Sequence, residues 1–113
     1  MNAPPDPDRD RKLLADPHML DVLRTAAGGS YFLVGPHDRV CRRDWEWYGH
    51  SASRTWVVDV SRDEQDSVQR LAIAGLLGLH GTEKVVDNGQ TRTGHPLRLT
   101  RAGAIALRSW SRT

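Results

Sequence analysis

Apolar residues recur at helical spacing in three segments of the chain. The first segment follows Asp16-Pro17, in which the aspartate can cap a helix and the proline can occupy its first turn, and it ends at Gly28-Gly29. The second follows Ser61-Arg62-Asp63-Glu64, whose spacing is that of a capping box, and it predicts a helix over residues 62–77. The third follows Thr100. Each segment is therefore predicted to form an amphipathic helix.

Runs of β-branched and aromatic residues separate the first two helices. Residues 30–34 form such a run, and the turn signal that follows them allows residues 39–41 to return as a partner strand. Residues 54–60 alternate in polarity, which predicts a strand directly before the second helix. Residues 42–49 fit either one or two helical turns or an aromatic loop.

A β-hairpin is predicted between the second and third helices. Residues 83–87 and 90–93 flank Asn88-Gly89, a dipeptide that tolerates a positive φ at both positions and is the strongest short hairpin signal. Leu97 and Leu99 alternate with a polar residue, so the second strand is expected to continue past Pro96.

Length and composition indicate one domain. A chain of 113 residues is long enough for a single core. Residues 1–12 contain three prolines and almost no apolar side chains, so they are predicted to form a flexible arm. Residues 13–113 are predicted to form the domain.

Several classes of protein find no support in the composition. One cysteine allows no internal disulfide, and the chain has neither a run of 18 apolar residues nor the layout of a signal peptide, so we expect a soluble, cytoplasmic protein without a membrane partner. His37, Asp38, Cys41 and His50 form the best candidate catalytic or metal set, but no metal-binding or phosphate-loop spacing supports them. We therefore expect no enzyme activity, no metal and no cofactor.

Charge is unevenly distributed along the chain. The formal net charge is only +2, but residues 89–113 carry five basic residues and no acidic one. Such a one-signed segment can meet an anionic partner. The five residues are Arg92, Arg98, Arg101, Arg108 and Arg112.

Two short motifs carry a resemblance to a known family. Ala74-Gly75-Leu76-Leu77, the hairpin, and then Leu99-Thr100-Arg101-Ala102-Gly103 resemble the second half of winged helix-turn-helix domains in MarR-like and PadR-like bacterial regulators. The resemblance covers residues 62–107. It implies an α+β, winged-helix-like fold of three or more helices with a C-terminal β-hairpin wing, to which an extra N-terminal strand or hairpin is added.

The resemblance also implies a function. The chain would be a sequence-specific DNA-binding transcription regulator, bacterial or from a phage or plasmid, with a recognition helix (62–77) and a basic wing (83–99). Arginine and glutamine suit guanine and adenine edges, and basic residues on a wing can hold phosphates. The candidate DNA-binding residues are Arg62, Gln65, Gln69, Arg70, Lys84, Gln90, Arg92, His95 and Arg98.

A second hypothesis is a protein-binding function. Asp63, Glu64 and Asp66 on the presumed recognition helix would be repelled by phosphates; the helix dipole accounts for the first two, which lie in the first turn, but not for Asp66. Aromatic residues also cluster between Trp45 and Trp56. A non-enzymatic adaptor or inhibitor of related fold could dock through that region. Trp110, on the last helix, could contribute to a homodimer by analogy with winged-helix regulators. The candidate protein-interface residues are Trp45, Trp47, Tyr48 and Trp110.

Overall fold

The computed structural model describes residues 7–44 and 55–110, which form four helices and six strands. The helices are α1 (Pro7–Leu14), α2 (Pro17–Ala27), α3 (Arg62–Ile73) and α4 (Arg101–Trp110). The strands are β1 (Tyr31–Val34), β2 (Arg39–Arg43), β3 (Thr55–Asp59), β4 (Leu77–Leu79), β5 (Glu83–Asp87) and β6 (Gln90–Leu99).

Five of the strands close into a barrel. Their order is β1-β2-β3-β5-β6, and β6 pairs with β1 to complete the ring. Every pairing is antiparallel except that of β3 with β5, where α3 forms the crossover that a parallel pair requires. Strand β6 is ten residues long and pairs in succession with β5, β1 and β4.

The barrel interior is a small apolar core. Gly94 faces it across the β5–β6 pair, where an added Cβ would lie 3.0 Å from Cγ1 of Val85, so the Val85 side chain would have to shift to admit even a methyl group. At one end, the Arg43 guanidinium lies 5.3 Å from the centre of the Phe32 ring. The buried interior residues are Phe32, Val34, Cys41, Val57 and Val85.

A second core lies between the barrel and the helices. Tyr31 and Val40 face away from the barrel interior and are buried with the apolar faces of α2, α3 and α4. The Tyr31 hydroxyl donates a hydrogen bond to the Glu64 carboxylate, and Arg42 lies 3.7 Å from the same group. Burial, assisted by Glu64, raises the pKa of Tyr31. These contacts fix α3 against β1 and β2.

Helix α3 begins as predicted and ends earlier. The Ser61 side chain accepts a hydrogen bond from the Glu64 backbone N–H at 3.2 Å, which confirms the capping interaction at its start. The helix ends at Ile73 rather than at residue 77, because Gly75 takes a φ of 80° and the chain enters β4 at Leu77.

The winged-helix prediction is wrong, although the predicted hairpin is present. Asn88 and Gly89 form its turn, with φ angles of 52° and 80°. A wing projects from its domain, whereas here β5 also pairs with β3, and β6 also pairs with β1. The N-terminal hairpin, which we expected to be an addition, and β3 complete a barrel that incorporates both strands of the presumed wing.

Part of the predicted flexible arm is helical. The composition predicts disorder over residues 1–12, whereas Pro7–Leu14 forms α1. Leu14 is buried in the helical core, and Nη2 of Arg9 donates a hydrogen bond to the Ala74 carbonyl at 2.6 Å. These long-range contacts hold a segment whose own composition does not indicate a stable helix.

Candidate nucleic-acid interface

One end of the barrel opens into a cleft of about 360 Å³, which we call the mouth cleft. The β1–β2 turn, the N-terminal half of α3 and the end of the β5–β6 hairpin meet around it. Its lining residues are Val34, Gly35, Pro36, His37, Arg39, Gln65, Asp87 and Arg92.

Two arginines at the mouth cleft share a buried carboxylate. Nη2 of Arg39 donates a hydrogen bond to Oδ2 of Asp87, and Nε of Arg92 lies 3.3 Å from the same oxygen. Nε of Arg39 also lies 3.2 Å from Oδ1 of Asp59. The Asp87 side chain is 12% exposed, whereas those of Arg39 and Arg92 are 42% and 44% exposed. The arginines are thus anchored to the barrel while half of each side chain faces solvent.

The strand pairing explains how these residues come together. Arg39 lies opposite Val34, and Arg92 lies opposite Val85, so both occupy the inward-facing rows at the end of the barrel. Nη2 of Arg92 also donates a hydrogen bond to Oε1 of Gln90 at 2.7 Å. The hairpin therefore orients the Arg92 guanidinium through two side chains.

Cys41 lies beneath this cluster in the barrel interior. Its side chain is fully buried, and its Sγ lies 3.8 Å from Oδ1 of Asp59. Burial raises the pKa of the Cys41 thiol, although Arg39 acts in the opposite direction. The thiol is therefore a neutral core group at physiological pH.

We expect Cys41 to react slowly with thiol reagents in the folded protein. Burial excludes the reagent, and the raised pKa keeps the thiolate scarce, so alkylation at pH 8 should be about a hundredfold or more slower than in denaturant. The raised pKa of Cys41 also means that the unfolded chain loses its thiol proton at a lower pH than the folded protein does. The free energy of unfolding should therefore fall as the pH rises above the ordinary thiol pKa. A labelling time course with and without urea tests the first point. Equal rates in the two conditions would contradict it.

The structure brings together part of the predicted DNA-binding set. Gln65 and Arg92 line the mouth cleft, and Gln90 contacts Arg92. Arg62 and Gln69 are exposed three and four residues from Gln65, on the same side of α3. Gln65, Gln90 and Arg92 therefore meet at the mouth cleft, and Arg62 and Gln69 lie on the adjoining side of α3.

The other four predicted residues lie elsewhere. Arg70 is on the opposite flank of α3, next to α1 and α2. Lys84 is exposed on the outer face of β5, and His95 is half-buried where β6 pairs with β1. The Arg98 guanidinium lies against Gly29, where an added Cβ would be 2.2 Å from its Nη1.

Some residues of the mouth cleft were not among the predicted DNA-binding residues. His37, Arg39 and Asp87 belong to the cleft, and Arg39 and Asp87 are 48 residues apart in sequence. The available signal was weak: His37 lies in the turn between two strands, and Arg39 and Asp87 are polar residues at the ends of β-type runs. Their proximity depends on the closure of the barrel, which no local pattern encodes.

The predicted protein-interface residues lie mostly outside the described residues. These are Trp45, Trp47 and Tyr48. Trp110 is half-buried at the end of α4, where it packs against the helical core. The predicted homodimer stays a prediction.

The candidate metal or catalytic set is not assembled within the described residues. His50 lies outside them, and the described part of the chain contains no group of three or more His, Cys, Asp or Glu side chains placed to hold a metal ion.

Comparison with known proteins gives no match. No protein-family model matches the chain, and no curated protein or solved structure resembles it at a significant level. Among the described residues, no helix has both the length and the apolar character needed to cross a membrane.

Proposed function

We propose that the protein is a non-enzymatic, double-stranded DNA-binding regulator that uses the mouth cleft and the adjoining side of α3. One observation carries the proposal: Gln65 and Arg92, from two segments that are distant in sequence, line the same cleft. One duplex can therefore contact the helix and the hairpin at the same time.

The cleft is rich in hydrogen-bond donors. A guanidinium has five N–H donors, so Arg39 and Arg92 have more donors than their contacts with Asp59, Asp87 and Gln90 use. Gln65 adds an amide group at the edge of the cleft. Phosphate oxygens accept such hydrogen bonds, and glutamine and arginine can also read base edges.

The acidic residues of α3 do not line the mouth cleft. Asp63 and Asp66 line a separate depression with Arg70, beside the N-terminus of α2. Repulsion of phosphates by these carboxylates is therefore weaker at the mouth cleft than the sequence of α3 suggests, whereas Asp66 lies one turn from Arg62 and Gln69 on the adjoining side of the helix. Asp59 and Asp87 balance the charges of Arg39 and Arg92, so we expect few phosphate contacts and weak non-specific binding.

The proposal also specifies a location and an assembly. A regulator of this kind works in the compartment that contains the DNA, which in a bacterium is the cytoplasm. A homodimer would double the number of phosphate contacts, which would offset the small charge of a single mouth cleft.

Arg92→Gln should weaken binding to every duplex sequence. Loss of one phosphate contact makes the negative slope of log affinity against log salt about 0.9 less steep. Fluorescence anisotropy titrations with a random-sequence duplex, repeated over a series of salt concentrations, measure both the affinity and the slope. Arg62→Gln should act in the same direction, and this exposed arginine is not part of the Asp87 cluster.

Arg108→Gln is the matched control. It removes the same charge from an exposed position on α4, away from the mouth cleft, and should leave the affinity within about twofold of wild type. Equal losses in the Arg92 and Arg108 variants would contradict the proposed site. Failure of the wild-type protein to bind duplex at low salt would refute the function itself.

A further inference from the structure

A second concave surface lies where α1 crosses the C-terminal end of α3. It has a volume of about 350 Å³, and we call it the cationic groove. Three of its lining residues are basic and three are apolar, and none of those described is acidic. They are Arg9, Lys12, Leu13, Arg70, Ile73 and Ala74.

The groove is held open by specific contacts. Nη2 of Arg9 donates a hydrogen bond to the carbonyl of Ala74, the C-cap residue of α3, at 2.6 Å. A cation at a helix C-terminus is favoured by the helix dipole. Asp10 is buried beside Arg9, and Leu14 is buried in the helical core, so α1 is anchored along its length. Contacts within the chain therefore shape the groove, and no bound partner is needed to form it.

Ile73 is a large apolar residue at a highly exposed position. Its side chain is 82% exposed, more than the other exposed large apolar residues Val58, Leu79 and Ile105. Single exposed apolar residues are common, but Ile73 borders a groove that also contains Leu13 and Ala74. Ala74 is already buried, so a partner that covered Ile73 and Leu13 would remove the remaining apolar surface of the groove from water.

We propose that the cationic groove binds a short acidic segment of a partner protein. An apolar side chain of the segment would pack against Ile73 and Leu13, and its carboxylates would pair with Lys12 and Arg70. Charge complementarity argues for this occupant, because Lys12 and Arg70 flank the apolar floor, whereas Arg9 is already paired with Asp10 and Ala74. The volume accommodates one or two side chains, which a short linear segment can supply.

The groove is distinct from the mouth cleft. Arg70 lies on the flank of α3 opposite Gln65, and the two lining sets share no residue. The proposal therefore does not depend on DNA binding.

The test begins with a displayed library of random short peptides selected against the full chain. The selected peptides should be rich in aspartate and glutamate and should contain at least one large apolar residue. A labelled copy of the most enriched peptide is then titrated with variant proteins. Lys12→Gln and Arg70→Gln should each weaken its binding about fivefold to tenfold, since each removes one charge-assisted contact.

Ile73→Ser separates a peptide site from a simple phosphate site. It should weaken the peptide about fivefold or more and leave duplex DNA binding unchanged, because only the peptide uses the apolar floor. Arg108→Gln is the control of equal charge and should leave peptide binding unchanged. The proposal is overturned if the library yields no acidic consensus, or if the groove variants bind the peptide as well as wild type does.

Discussion

A Gly103→Ala protein is expected to lose about 3 kcal/mol of its free energy of unfolding. A Cβ at this position would lie 2.0 Å from the Leu76 carbonyl oxygen and 3.0 Å from the carbonyl carbon. Both atoms belong to the backbone, so no side-chain rotation can relieve the contact. Helix α4 would have to move away from the segment that joins α3 to β4.

Such a movement would break several hydrogen bonds at once. The Leu76 oxygen accepts a hydrogen bond from the Thr100 N–H at 3.1 Å. The Thr100 hydroxyl donates to the Gly75 carbonyl at 2.5 Å and accepts from the Gly103 N–H at 3.1 Å. Gly103 is thus the close-contact point of the junction that holds α4 to the end of α3.

Gly28→Ala is the matched control for urea unfolding. Gly28 has a φ of −78°, and the nearest atom to an added Cβ is 3.5 Å away, which is ordinary contact. The same chemical change should therefore alter stability by less than about 1 kcal/mol there. Similar unfolding midpoints for Gly103→Ala and wild type would show that the junction can open at little cost.

This junction also shows that the motif behind the sequence resemblance specifies a local structure and not the whole fold. The Leu-Thr-x-x-Gly segment that ends at Gly103 encodes a helix start packed against a preceding turn, and the structure has that local arrangement. A local arrangement does not specify the rest of the fold. The same segment follows a hairpin that belongs to a barrel, and the inferred family topology was therefore wrong.

Elements specified by consecutive residues were predictable. Asp16 caps α2, Ser61 caps α3, and Asn88-Gly89 forms the hairpin turn. In each case the determining atoms lie within a few residues of one another. The physical cause is therefore visible in a short stretch of sequence.

Barrel closure was not predictable because it depends on distant pairs. Phe32 pairs with Pro96, and Thr55 pairs with Val85 across α3. Strand patterning indicates which face of a strand is buried but does not identify its partners. The same limit applied to the mouth cleft, in which Gln65 and Arg92 were expected at a binding surface and the Arg39–Asp87 pair was not.

Phe32→Ala is expected to cost about 4 kcal/mol of stability, the largest loss among the changes proposed for this protein. The Phe32 side chain is fully buried inside the barrel, where its neighbours lie on different strands and cannot all move to fill the cavity. The variant would also lose the contact with the Arg43 guanidinium. Urea unfolding measures the loss directly.

Two controls separate cavity formation from the loss of apolar area alone. Phe32→Leu keeps most of the volume and should cost about 1–2 kcal/mol, whereas Ile73→Ala, at a residue 82% exposed, should cost less than about 0.5 kcal/mol.

The Phe32→Ala cavity should also affect the mouth cleft. Val34 lies in the same interior, opposite Arg39, so a less tightly packed barrel should misplace the mouth-cleft arginines. Duplex binding should therefore weaken in Phe32→Ala even where the protein is still folded. If binding were unchanged in that folded variant, the barrel interior would not be what positions those arginines.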